Sequence, residues 1–237
     1  MSASPARSNA MTTGSLWKNI LLFSLPLMAS QLLQVLFNLA DVAVVGKFSG
    51  AIALGAVGST TILVTLFTGL LIGLGSGVNV RIAQFLGAGQ EDDTRETVFN
   101  ALVICVVAGV LLGAVGVTLA RPMLTLIRTK AELIDGAVLY FRIYALGMPA
   151  VGLFNFGNAV LSAEGDTRRP LVYLTVAGIL NVILNLVFVL GCGMAADGVA
   201  LASVISQVVS ALLVTWRLMR SKSACRLTLR RARLCRD

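Results

Sequence analysis

Six long apolar runs, with little chain between most of them, decide what this sequence can fold into. They lie at about 19–42, 51–74, 98–120, 137–161, 170–190 and 198–219. Each is near the ~20 residues that a helix needs to cross the hydrocarbon of a bilayer. Runs of this length read as helices rather than barrel strands, because a backbone facing lipid must satisfy its hydrogen bonds within its own segment. Composition agrees: 57% of the 237 residues are hydrophobic and 13% are charged, against about 45–50% and about 25% in a soluble domain. The expectation is an all-α integral membrane protein, a bundle of six transmembrane helices. A cleaved signal peptide is a poor account of the first run, which continues past any h-region with no clear cleavage site behind it. The short link Lys47-Phe48-Ser49-Gly50 makes the first two helices antiparallel neighbours.

Residues 1–16 are small and polar and read as a disordered cytoplasmic tail. Residues 17–220 form the six-helix lobe, and 221–237 a basic cytoplasmic tail. Fourteen of the Lys and Arg residues fall on the side of the two termini, and five (Lys47, Arg121, Arg128, Lys130 and Arg142) on the other. The positive-inside rule then places both termini in the cytoplasm and the protein in the cell's inner (plasma) membrane. Trp17 and Trp216 fall at cytoplasmic span ends, where interfacial aromatics belong. The net charge of +8 follows the same rule and gives no reason to expect nucleic acid as a partner. Membrane lipid is an expected partner; for the tail SKSACRLTLRRARLCRD, a linker obeying the charge rule is favoured over binding to anionic headgroups. Between the second and third runs, Gly75 onward reads as an interfacial amphipathic helix. Val80, Ile82, Phe85 and Leu86 form its apolar side, and Gly87 to Gly89 a turn.

Several kinds of chemistry are missing. There is no histidine, which removes the commonest metal ligand and the usual general base. The four cysteines show neither zinc spacing nor a disulfide framework. Walker-type loops, Ser-His-Asp sets and HExxH are absent, and Gly73, Gly75 and Gly77 follow no strand that would make them a nucleotide fingerprint. No catalytic residue, no enzyme activity and no cofactor are expected. Gly69, Gly73 and Gly77, like Gly109 and Gly113, have the small-xxx-small spacing of close helix packing.

The chemistry that remains is inside the spans. The first, PLMASQLLQVLFNLADVAVVG, carries Gln31, Gln34, Asn38 and Asp41. At 3.6 residues per turn they share a sector of roughly 80°. A carboxylate there costs about 2.5–3.5 kcal/mol even on the lenient insertion scale, and such a group faces a bundle interior or an aqueous cavity. Asn155 and Asn158 lie in the fourth span and Asn181 and Asn185 on one face of the fifth. Ser203, Ser206, Gln207 and Ser210 form a stripe on the sixth. Interhelical hydrogen bonding explains the serines most simply and the Asn181/Asn185 pair as well as function does. Together these groups offer one carboxylate, two amide oxygens and a hydroxyl, a hard-oxygen set suited to Na⁺ or to a proton on Asp41. Asp41, Asn181, Asn185 and Ser203 are the candidate cation- or proton-binding residues. Gln34, Asn38 and Asn155 are a supporting polar face, and no metal beyond Na⁺ at Asp41 is expected.

Five stretches in order resemble the multidrug and toxic compound extrusion (MATE) family of secondary transporters, from about Thr12 to about Arg231. They are LWKNILLFSLPLMASQLLQVLFNLADVAVVGKFSG, ALGAVG, YFRIYALGMPAVGLFNFGNAVLSAEGDTRRPL, NVILNLVFV and GVALASVISQ. The resemblance implies efflux of drugs or organic metabolites, driven by inward flow of Na⁺ or H⁺, by a protein with two six-helix lobes around a central cavity. It implies an acidic residue on helix one, matched by Asp41, and polar partners on helix five, matched by Asn181 and Asn185. Ser203 falls near a helix-six hydroxyl position. Asn185 stands where many relatives have Asp, and Ser162 where an Arg is common. Only one lobe is present, so the expected partners include a missing second lobe or a second copy, besides a small organic cation or drug-like substrate. A truncated product ending in the inter-lobe linker is favoured over a half-transporter that dimerises. Two other readings compete. One is a lipid-linked saccharide flippase of the same superfamily, which a cation-rich cavity would favour. The other is a non-transporting membrane fragment or assembly subunit.

Overall fold

Helix ends fall where the sequence changes character. In the computed structural model, which describes residues 16–221 and Cys225, the elements are α1 (Leu16–Phe48), α2 (Gly50–Gly87), α3 (Glu91–Leu126), α4 (Ala131–Leu146), α5 (Met148–Ala163), α6 (Arg168–Leu186) and α7 (Ala196–Met219). There is no strand among the described residues. The first turn of α3 holds Glu91, Asp92 and Asp93, whose charges complement the partial positive charge of a helix N-terminus. The turn before it needs Gly89 at φ +72°, and the α5–α6 turn needs Gly165 at φ +83°. A residue with a Cβ is strained there.

Five helices are long and apolar enough to cross a membrane, and six are if α4 and α5, which pass the same test together, count as one span. The six-helix expectation therefore holds, with two corrections. The fourth span is not straight: α4 and α5 meet at Gly147 with a bend of 46°. Pro149 lies in the first turn of α5, where its missing N–H and fixed φ start a helix but cannot continue one. The second correction concerns the expected interfacial helix from Gly75. It is the uninterrupted end of α2. At 1.5 Å per residue the 38-residue helix is about 57 Å long, so its last turns stand beyond the hydrocarbon without a break. Ile82 is buried in the bundle there rather than lying on a membrane surface.

Small residues set the closest helix crossing. A Cβ at Gly152 of α5 would lie 2.5 Å from the Cys105 carbonyl oxygen of α3. One at Gly109 would lie 2.8 Å from the Met148 carbonyl, and one at Gly113 2.9 Å from that of Ala145. Gly69, Gly73 and Gly77 behave otherwise: all three are exposed, with nothing within 4 Å of an added Cβ. The spacing permits close approach but supplies no partner. α2 instead buries the neighbouring edge, Leu63, Phe67, Leu71 and Gly75.

Of the chain ends, residues 1–15 and all of 222–237 except Cys225 lie outside the described residues, and with them most of the two expected tails. Cys225 packs in a cluster with Ile82, Leu161, Val214 and Leu218. Burial, and then the nearby Glu164 carboxylate, push its thiol well above the usual range, which makes it an inert packing group.

Candidate functional site

The helix α6 shows how the sequence builds the site. Val172, Val176, Ile179 and Ile183 are exposed at i, i+4, i+7 and i+11, the stripe a lipid-facing helix needs. Ala177, Gly178, Asn181 and Asn185 are buried on the other side. α1 packs against that inner face and α7 beside it. The approach of α1 is close: the Phe37 ring occupies the place where Gly178 would carry a Cβ. One turn beyond Phe37, Asp41 therefore arrives between α6 and α7. Directly after Asn185 the helix widens into a π-helical turn, Val187–Gly191, a distortion that often accompanies functional positions.

Asp41 is 9% exposed, Asn181 6%, Asn185 0% and Ser203 6%. Asn185 Nδ2 donates to Asp41 Oδ1, and Ser203 Oγ donates to Asp41 Oδ2 at 3.3 Å. The amide orientation that satisfies both ends of Asn181 puts its nitrogen on Asp41 Oδ1 at 2.8 Å. Its oxygen then accepts from the Ser203 backbone N–H at 3.3 Å, which leaves the Ser203 hydroxyl proton for Asp41. Three neutral donors thus surround one carboxylate, and no cationic side chain pairs with it among the described residues. Asn185 Oδ1 is buried with no hydrogen-bond partner. An orphaned amide oxygen beside a carboxylate, a hydroxyl and a second amide fits a hard cation, which takes oxygen ligands. No group of three His, Cys, Asp or Glu side chains that could hold a metal occurs among the described residues.

Asp41, Asn181 and Ser203 also line a cavity of about 360 Å³ between α1, α2, α4–α5, α6 and α7. Asn185 sits behind Asp41, away from the cavity wall. Gln34, Asn38 and Asn155 line it as well, and the Asn155 amide donates to the Val151 carbonyl at 2.9 Å. Gln31 shares their helix sector but is exposed outside the cavity. Asn158 is also outside it, accepting from Ser162 Oγ at 3.5 Å. Ser206, Gln207 and Ser210 line the cavity, and Ser210 bonds the Gln207 carbonyl of its own helix rather than a neighbour's. Sequence reasoning passed over two further sets of wall residues. Thr61, Thr65 and Thr68 on α2, and Tyr140 and Tyr144 on α4, face the same space. Their spacings of four, three and four residues place each set on one helix face, and that was the available signal.

Known proteins match this chain over most of its length. The MatE family model matches residues 26–187. The chain is 30% identical over 225 residues to the probable multidrug resistance protein YoeA of Bacillus subtilis (strain 168), covering 93% of this chain and 49% of that protein. It is 28% identical over 198 residues to an FAD transporter of Shewanella oneidensis, covering 81% of this chain and 43% of that protein. Its fold is similar to a crystal structure of MATE in the bent conformation, with a TM-score of 0.90 and 26% identity, covering 98% of this chain and 52% of the other. The chain spans about half the length of the curated relatives it matches.

Proposed function

Because this chain belongs to the MATE family, we propose that it forms the amino-terminal lobe of a cation-coupled antiporter that exports drugs or organic metabolites by alternating access. The observation that carries this reading is the buried, unpaired carboxylate of Asp41 on a polar cavity wall. A charge in that place is costly and is kept where an ion passes. The coupling ion is Na⁺ or H⁺, and Asp41, Asn181, Asn185 and Ser203 hold it.

The residues do this through their donors and acceptors. With the carboxylate ionised and no cation on it, Asn185, Asn181 and Ser203 donate to it and tie α1 to α6 and α7. A cation at Asp41 reverses the demand from donors to acceptors. An amide meets that demand by turning its oxygen inward and a hydroxyl by turning its proton away. The ties between α1 and the other two helices then change with the charge at Asp41, so ion binding selects between arrangements of the lobe. Gln34, Asn38 and Asn155 supply polar contacts to the transported molecule. The cavity wall contains no Lys or Arg among the described residues, which favours an organic cation over the anionic pyrophosphate of a lipid-linked saccharide. Arg142 is spent elsewhere, donating from Nε to the Val117 carbonyl at 3.1 Å. Export needs a second lobe to rock against this one, supplied by the rest of a longer chain or by a second copy of this one, with both ends of the present lobe in the cytoplasm.

Lipid vesicles holding the two-lobed protein, either a dimer of this chain or this chain with the second lobe that completes it, and loaded with rhodamine 123 test the reading. Dye efflux that speeds up when an inward Na⁺ or proton gradient is imposed is the expected result. Dye movement that is the same with and without either gradient contradicts it and favours a non-transporting subunit.

A further inference from the structure

One corner of the cavity has hydrogen-bonding capacity that the protein does not use. Gln207 of α7 donates from Nε2 to Tyr144 Oη at 3.0 Å. Its other end, Oε1, is buried and has no partner among the described residues, and the same is true of Oγ of the preceding residue, Ser206. Both residues line the cavity. Buried acceptors are almost always satisfied, so two orphans on residues that line one cavity ask for a guest. The Gln207 orphan is not a by-product of poor packing. Gln207 is held at one end by Tyr144, and its Oε1 lies against the bend of the fourth span, 3.1 Å from where Gly147 would carry a Cβ. Interrupted spans in transporters mark binding sites. Gln207 follows Ser203 by one helical turn, about 5–6 Å, so this corner adjoins the Asp41 cluster without belonging to it.

We propose that Gln207 Oε1 and Ser206 Oγ form an uncharged acceptor subsite that binds an N–H donor of the transported organic cation; this rests on the cavity being the route of such a cation. The subsite divides the work of recognition. Asp41 responds to charge, whereas an amide oxygen responds to a hydrogen-bond donor. A cation whose nitrogens are fully alkylated leaves both acceptors unpaired and gains nothing from them. A cation with N–H groups satisfies them, and a site built to accept a hydrogen bond discriminates against an analogue that lacks the donor.

A matched pair of dyes tests this with the full chain in lipid nanodiscs. Rhodamine 123 carries N–H groups on its xanthylium ring, and tetramethylrhodamine methyl ester carries N-methyl groups on the same ring. Binding is read by fluorescence. Gln207→Met, which keeps side-chain volume, is expected to weaken rhodamine 123 binding by about fivefold, the loss of one hydrogen bond. Ser206→Ala, which leaves the Gln207–Tyr144 bond in place, is expected to weaken it by a similar factor. Each variant should change binding of the tetramethyl dye by less than about twofold. Unchanged rhodamine 123 affinity in both variants overturns the proposal, and so does equal weakening of the two dyes. A wild-type chain that binds both dyes while either of those results holds leaves the cavity reading standing and removes only the subsite. A wild-type chain that binds neither dye overturns the cavity reading and the subsite with it.

Discussion

Replacing Asp41 by Asn is expected to abolish the gradient dependence of efflux while leaving the lobe folded. The substitution keeps the shape and one acceptor oxygen. That oxygen still receives the donors of Asn185 and Asn181, both of which point at Asp41 Oδ1. The new amide nitrogen meets Ser203, whose hydroxyl accepts as readily as it donates. What is lost is the charge. Hydrogen bonds and ligation that involve an ionised group are worth about 1.5–3 kcal/mol, or roughly 10- to 150-fold in affinity. An ion that no longer distinguishes two states of the protein cannot shift their balance. Vesicle efflux of rhodamine 123 should therefore proceed at one rate with and without the gradient, with unfolding in detergent close to that of the wild type. Retention of gradient-driven efflux would move the ion site away from Asp41.

The largest loss of stability is expected from Gly152→Ala. The added Cβ would stand 2.5 Å from the Cys105 carbonyl oxygen, a backbone atom in the middle of α3. It cannot turn aside as a side chain can, so α3 and α5 must separate. Overpacking of this kind costs about 1–3 kcal/mol, and against a backbone atom at this distance the upper part of that range applies, which exceeds the ~1 kcal/mol that alanine gains over glycine in a helix. Gly178→Ala should be milder despite an even closer approach, because its neighbour is the Phe37 ring, which can rotate. Gly73→Ala faces nothing within 4 Å and should be neutral or stabilising by up to about 1 kcal/mol. Thermal unfolding of the three variants in detergent gives the order directly. An unfolding temperature for Gly152→Ala at or above that of Gly73→Ala would contradict the close α3–α5 crossing.

The contrast between these glycines shows what the sequence carried and what it did not. Gly109 and Gly73 belong to runs with the same spacing, yet only Gly109 meets a neighbouring backbone. Spacing states which residues share an edge and says nothing about which edge is covered. Gln31 and Asp41 lie in one helical sector in the same way, and the bundle buries one and leaves the other exposed. The spans were legible because hydrocarbon thickness imposes a length that few other folds require. The Asp41 cluster was partly legible because carboxylates and amides in apolar runs are expensive, and because Asn181 and Asn185 repeat at one turn. The bend at Gly147 was passed over because the run on both sides of it is apolar enough to read as one span, although Pro149, which cannot continue a helix, carried its signal. The pairing of Tyr144 with Gln207 was not legible, since it depends on how α4 and α7 pack and has no local signature.

The most direct measurement is difference infrared spectroscopy of the full chain in lipid, recorded in the carboxyl region as Na⁺ is added and as the pH is lowered. Ion binding at Asp41 predicts a carboxyl band that responds to at least one of the two cations and is missing from the difference spectrum of Asp41→Asn. Identical difference spectra for the wild type and the variant would contradict ion binding at Asp41.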